Sequence, residues 1–246
     1  MYQNSIKFAV TTSWDDGAPE DRRLADLLLK YGIGATFYIP LKNLEKRAVL
    51  SPSEIQKIAA NFEVGSHTYD HIYLNRCSLA VAKSQIVDGK KVLEDIIGEK
   101  IKGFCYPGGK YDNPIVELVK NADFLYARTT KNLFNRTDKS SLFEMPVSVQ
   151  FYPRKGFKHL KGFLMYQQYI ERWPYFYRAL MNDNLVTRLK IMIDYCVMEG
   201  VYFHLWGHSW EIEELGLWSE LEEVFCYMSK KVDSVNLVDN YRASLC

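Results

Sequence analysis

At 246 residues, with 48% hydrophobic and 25% charged residues, the chain is long enough to bury a core without disulfide or metal staples. A formal net charge of +1, with no long run of one sign, excludes the clustered basic face that nucleic-acid binding needs. The five cysteines (Cys77, Cys105, Cys196, Cys226, Cys246) are scattered and form no Cys-x-x-Cys pair, which excludes a disulfide framework and a thiolate zinc site.

The N-terminal Met-Tyr-Gln-Asn-Ser has no basic segment followed by an apolar h-region, so the expected location is cytoplasmic. No apolar run reaches the ~18 residues that span a bilayer, so no membrane span is expected. Nothing in the pattern specifies an oligomeric state. Along the chain, residues 6–12 place Ile6, Phe8 and Val10 on one face, the period of a strand. Residues 20–31 form a helix with Leu24, Leu27, Leu28 and Tyr31 in one stripe, ended by Gly32 and Gly34. Residues 35–39 are a strand stopped by Pro40. Ser51 and Glu54 have capping-box spacing around Pro52, which starts a helix. Residues 62–66 make a third strand, and 78–97 a long helix ended by Gly98. Residues 102–106, 124–128, 143–149 and 201–206 are further strands. Ser219 and Glu222 set a second capping box before a helix that buries Leu221, Phe225 and Met228, and 235–238 is a last short strand. Residues 157–181, from Phe157 through Tyr166 and Trp173 to Met181, are rich in aromatics. They form either a core helix pair or a lid that stacks on a sugar. The alternation of strand and helix over about seven units predicts an α/β fold with a parallel sheet, closed or nearly closed as a barrel, in a single domain over residues 1–246. In such a barrel chemistry gathers at the C-terminal strand ends.

Three strand ends carry polar residues out of place in a plain core. Asp15 and Asp16 are adjacent carboxylates that repel unless a cation or proton intervenes. Their side chains diverge, so one can bind a metal while the other stands beside it. His67 and His71, four apart, can face one metal, and two histidines with one carboxylate leave positions open for water and substrate. The third group is His204, Trp206, His208, Trp210 and Glu211, where a histidine can protonate a leaving group.

Thr12-Ser13-Trp14-Asp15-Asp16-Gly17 resembles the Thr-Phe-Asp-Asp-Gly motif of the polysaccharide deacetylases, the NodB-like carbohydrate esterase family 4. His67-Thr68-Tyr69-Asp70-His71 is similar to that family's His-Ser/Thr-x-x-His motif. Cys105-Tyr106-Pro107-Gly108-Gly109 lies where the family has Arg-x-Pro-x-Gly, and His208-Ser209-Trp210-Glu211 resembles its His-Pro-Trp-Glu. The likeness covers about the first 130 residues well and the last 50 weakly. The resemblance implies a distorted (β/α) barrel of about seven strand–helix units. It also implies a metal-dependent hydrolase that removes acetyl from an N-acetylated saccharide. Asp16, His67 and His71 would hold one divalent metal, zinc first, with cobalt, nickel or manganese as alternatives. Asp15 would be the base, with an oxyanion N–H near Tyr106. His208, favoured over His204 on its motif, would be the acid, with His204 orienting it or lining the pocket. Trp14, Tyr106, Pro107, Trp206 and Trp210 would bind the sugar. Two departures stand out. Cys105 replaces the arginine that orients the base, a role Arg128 at the next strand end can take with a guanidinium fork. The family's Asp-x-x-Trp motif is not identifiable. The alternatives are an amidohydrolase acting on a small cyclic amide and a degenerate barrel that binds saccharide without turnover.

Overall fold

The computed structural model describes residues 8–137, 139–155 and 159–246. Its first half alternates regularly: β1 (Val10–Asp15), α1 (Asp21–Tyr31), β2 (Ala35–Ile39), α2 (Pro52–Ala59), β3 (Glu63–Ser66), α3 (Leu79–Ile97), β4 (Gly103–Cys105), α4 (Asn113–Asn121) and β5 (Tyr126–Arg128). The second half holds β6 (Val149–Gln150), α5 (His159–Met165), α6 (Tyr169–Leu180), α7 (Leu185–Glu199) and β7 (Phe203–Gly207). It ends with α8 (Ser209–Leu215), α9 (Trp218–Lys231), β8 (Leu237–Val238) and α10 (Asn240–Ser244).

All pairings are parallel, in the order β5-β4-β3-β2-β1-β7-β6, with β8 against the start of β1. The sheet curls into a distorted barrel, and residues 145–150 bring its two edges together. Met145 N–H donates to Ala127 O of β5 at 2.9 Å, and Thr129 N–H donates to Met145 O at 2.9 Å. A few residues on, Val149 pairs with Leu205 of β7. The strand expected over residues 143–149 is therefore broken. Lys139–Glu144 form a 3-10 turn, and Pro146, which lacks an N–H, interrupts the ladder before β6.

β1 is the central strand and is buried along its whole length, as a strand flanked on both edges and covered on both faces must be. It begins at Val10 rather than residue 6, and Ile6 lies outside the described residues. Trp14 points to the helical layer and meets the Phe225 ring of α9 edge-on at 6.1 Å. Thr11, Ser13 and Asp15 point the other way, into the barrel. At α2 the Ser51 N–H donates to Glu54 Oε2 at 2.8 Å, the capping contact its spacing predicts. The second predicted capping box does not form. Helix α9 starts at Trp218, so Ser219 lies one residue inside and donates to neighbouring Glu220 instead. Gly34 allows close approach of β8: a Cβ there would lie 2.5 Å from Val238 C. Among the described residues no helix is long and apolar enough to cross a membrane.

The aromatic segment resolves into two helices with distinct faces. Phe163 of α5 and Phe176 of α6 are buried and stack at 4.1 Å. Tyr175 is buried as well, Tyr169, Trp173 and Tyr177 are exposed, and Phe157 lies outside the described residues. Arg172 of α6 is fully buried, with no carboxylate partner among the described residues. Its guanidinium donates to Asn132 O at 3.1 Å, Gly162 O and Phe163 O at 2.7 Å, and Tyr166 O at 2.6 Å. It thereby caps the C-terminal carbonyls of α5 and fixes that helix against the barrel rim.

Candidate active site

At the end of β1 the chain turns through two left-handed residues, Asp16 (φ 79°) and Gly17 (φ 59°). A non-glycine residue in that region stores strain, and this turn sends the two carboxylates apart. Asp15 faces the barrel interior and Asp16 faces the loop after β3. That loop carries two more such residues, Thr68 (φ 68°) and His71 (φ 56°), so the two histidines converge from an irregular turn rather than a helical one.

His71 Nε2 lies 3.1 Å and His67 Nε2 3.6 Å from Asp16 Oδ1. His67 Nδ1 donates to Cys105 O at 2.8 Å, which leaves its Nε2 lone pair turned to Asp16. The other Asp16 oxygen accepts from Trp210 Nε1 at 2.8 Å, and the Arg47 guanidinium stacks over that indole at 3.4 Å. Asp16 Oδ1 is buried without a well-formed hydrogen bond, facing the two imidazoles. Ligand atoms of Asp16, His67 and His71 all lie within 4.8 Å of one another. Burial alone would raise the Asp16 pKa. The close His71 Nε2 contact, with the charges of His208, His67 and His71, overcomes that and holds it well below the usual carboxylate range. Burial pushes His67 down to about 4, so it is neutral and able to coordinate. This donor set fits a divalent cation.

A second cluster, Asp15, His67 and Cys105, meets the same distance condition. It fits a metal less well. Burial holds the Cys105 thiol well above its ordinary pKa, whereas a metal ligand must be thiolate. Asp15 is also engaged elsewhere. Arg128 Nη2 donates to Asp15 Oδ1, and both groups are buried. Cys105 and Arg128 are register partners on β4 and β5, so the guanidinium reaches Asp15 from the position beside Cys105. It lies 5.1 Å from both the Tyr38 and Trp206 rings, which wall it off from water.

His208 precedes α8 and lies 4.0 Å from Asp16 Oδ2 through Nε2. Its Nδ1 donates to Glu211 Oε2 at 2.6 Å, and Gln150 Nε2 donates to the same oxygen at 3.0 Å. Burial lowers the His208 pKa, but the Glu211 hydrogen bond and the Asp16 and Asp15 charges outweigh it and raise it to about 9. A cavity of about 520 Å³ opens over these groups. Asp15, Asp16, His67, His71, Trp206, His208 and Trp210 line it. Arg128 lies beneath it, in contact with Asp15.

Besides Arg128, four of the predicted site residues do not reach this cavity. His204 is sealed inside the barrel. Tyr202 OH donates to Pro146 O at 2.9 Å, so His204 Nδ1 donates to Tyr202 OH at 2.7 Å and Nε2 accepts from Ser13 Oγ at 2.7 Å. Both ring nitrogens are occupied, and burial, with the Arg128 charge, holds its pKa well below the ordinary value. Trp14 faces α9. Tyr106 is buried, stacked on Tyr111 at 4.5 Å with its OH on Phe143 O. Pro107 is buried beside it, and the turn offers Gly108, Gly109 and Lys110 to the cavity instead. The Tyr106 N–H, expected to be an oxyanion donor, donates to Arg128 O at 3.3 Å in the β4–β5 ladder. Conversely, Glu211 and Gln150 belong to the site. Glu211 stands three residues after His208, a spacing readable as a partner pair; Gln150 carries no local signal.

The polysaccharide deacetylase family model matches residues 3–127, half of the chain. The chain belongs to the polysaccharide deacetylase family. Over 124 residues it is 25% identical to YxkH of Bacillus subtilis, covering 50% of this chain and 44% of that one. Over 117 residues it is 27% identical to the peptidoglycan-N-acetylglucosamine deacetylase of Bacillus cereus, covering 47% and 53%. This family member thus spans about half the length of the curated relatives it matches. Its fold is similar to that of a Mycobacterium smegmatis structure at TM-score 0.65 and 18% identity, covering 100% of this chain and 91% of that one. It is also similar to the chitin deacetylase of Colletotrichum lindemuthianum at TM-score 0.58 and 16% identity, covering 93% and 84%.

Proposed function

We propose that the protein is a metal-dependent hydrolase that removes acetyl from an N-acetylated saccharide. The observation that carries this reading is the division of labour between adjacent carboxylates: Asp16 converges with His67 and His71, while Asp15 is held apart by Arg128. A pure binding barrel has no need of that second, buried carboxylate. Held by Asp16, His67 and His71, a divalent ion (zinc first, with cobalt, nickel or manganese as alternatives) supplies Lewis acidity that acidifies a water and polarises an amide carbonyl.

The chain's own residues do the remaining work. Asp15 takes a proton from the attacking water, and the Arg128 Nη2 contact orients its carboxylate. His208, charged at neutral pH, donates a proton to the departing amine, with Glu211 stabilising the imidazolium. The products are acetate and a free amino sugar. Trp206 offers aromatic surface for a pyranose face, while Trp210, one face of which Arg47 covers, borders the cavity. The names of the Bacillus cereus and Colletotrichum relatives favour an acetamido sugar over a cyclic amide. We take residues 1–246 as one catalytic domain, because Asp15 to His71 and His208 to Glu211 serve one cavity.

The test is acetate release from N-acetylglucosamine oligomers after chelation and after reconstitution with zinc, cobalt, nickel or manganese. Turnover should vanish on chelation and return with metal. Protein with stoichiometric metal that releases no acetate from any acetamido sugar contradicts the reading.

A further inference from the structure

Helices α5 and α6 present the largest run of exposed apolar side chains among the described residues. Leu160, Leu164 and Met165 of α5 stand in solvent. On α6, Ile170 is 90% exposed and Trp173 52% exposed, and Tyr177 and Leu180 continue the same stripe at helical spacing. The two sets are contiguous. Phe163, beneath them, contacts the Tyr169 ring at 5.3 Å and the Trp173 ring at 6.1 Å, and Trp173 stacks with Tyr177 at 6.4 Å. Folded monomers rarely leave an apolar patch of this extent without use.

The charges around it select the occupant. Between residues 159 and 181 the accessible cations are Lys161 and Arg178, since Arg172 is buried, and the one carboxylate is Glu171. Glu171 is already paired with Arg136. Lys161 and Arg178 have no carboxylate partner among the described residues, and Lys161 lies on the cavity side of α5 with Arg154 on the adjoining wall. A helix pair with leucine, isoleucine and aromatic rings on one side and basic groups along its margin has the composition of an interfacial membrane segment. Tryptophan and tyrosine sit well there, with an apolar ring and a polar tip. A second copy of the chain fits less well, since a twofold contact through this patch sets the same basic margins against each other.

We propose that the α5–α6 face docks onto an anionic lipid surface. Lys161, Gly162, Met165 and Tyr166 of this same region line the cavity, so docking sets the cavity mouth at the headgroup layer. The inference stands on exposure and charge and does not depend on the hydrolase reading. Vesicle binding is read without turnover, so its failure leaves that reading untouched.

The experiment is co-sedimentation of the full chain with vesicles of phosphatidylcholine alone and of phosphatidylcholine with phosphatidylglycerol in equal parts. The protein should partition at least about tenfold more strongly onto the anionic vesicles, as two or more surface cations imply, and added salt should reduce that preference. Ile170→Glu should weaken binding by about tenfold or more while the fold survives, because the side chain is outside the core. Trp173→Gln provides a second variant should the first fail to fold. Wild-type protein that stays in the supernatant with both vesicles overturns the proposal. So does unchanged binding in folded variants, or a solution dimer that both variants dissolve in place of any vesicle binding.

Discussion

Asp15 and Asp16 are chemically identical neighbours whose environments separate them. Asp16 meets imidazole nitrogens and the Trp210 indole; Asp15 meets a guanidinium. Arg128→Met would leave Asp15 buried without its guanidinium partner, so the base loses the contact that fixes its orientation. Turnover should fall about a hundredfold or more, the usual scale for a lost general base, while bound metal is retained. Arg128→Lys keeps the charge without the planar guanidinium between the Tyr38 and Trp206 rings, and should fall between wild type and Arg128→Met. Steady-state kinetics alongside metal analysis checks this, and a normal kcat in Arg128→Met would remove Arg128 from the account. The Glu211 contact makes a separate prediction through pH. The His208 pKa is raised to about 9, so the imidazolium persists through neutral pH and is lost as pH rises through that value. The alkaline limb of kcat should follow it. Glu211→Gln removes the largest raising influence, so the limb should move toward the ordinary histidine value of about 6.5. Superimposed pH profiles for the two proteins would show that His208 is not the acid.

At the scale of elements, strand ends deliver the site and helix α5 walls it. The wall depends on one buried cation. Arg172 satisfies carbonyls of residues 132, 162, 163 and 166 at once, so Arg172→Met orphans several buried acceptors. Loss of about 2–4 kcal/mol of stability is expected. Hydrogen exchange should quicken in α5 and the adjoining loop while β1–β3 stay protected. Uniform exchange across the chain would mean that Arg172 holds the whole fold rather than this wall. Which elements could be read beforehand follows from the same physics. The first half showed regular apolar runs ended by Gly32 and Gly98, and the carboxylates and histidines lie within a residue or a few of strand ends, so local pattern located them. The segment around residues 143–150 misled because its strand character is split by Pro146. Tyr106 and Pro107 misled because their motif marks a turn whose glycines, and not its larger side chains, face the cavity. Glu211 was visible as a spacing, whereas Gln150 enters only through the β6–β7 pairing and leaves no trace in neighbouring residues.

For the molecule as a whole, the barrel is closed by residues 145–150 so that the two halves meet over one cavity. The half matched by the family model carries Asp15, Asp16, His67, His71 and, one position beyond it, Arg128. The other half brings His208, Trp210, Glu211 and Gln150. That assembly explains how a chain with cysteine at position 105 keeps a guanidinium on Asp15: β5 runs beside β4 and supplies it at the same register. It also raises a sharp alternative, because His67 belongs to two candidate clusters. Anomalous diffraction at the edge of a reconstituted metal decides between them. One peak bounded by Asp16, His67 Nε2 and His71 Nε2, with Asp15 still on Arg128, is the predicted result. A peak held by Asp15, His67 and Cys105, with the Arg128 contact broken, would contradict the account.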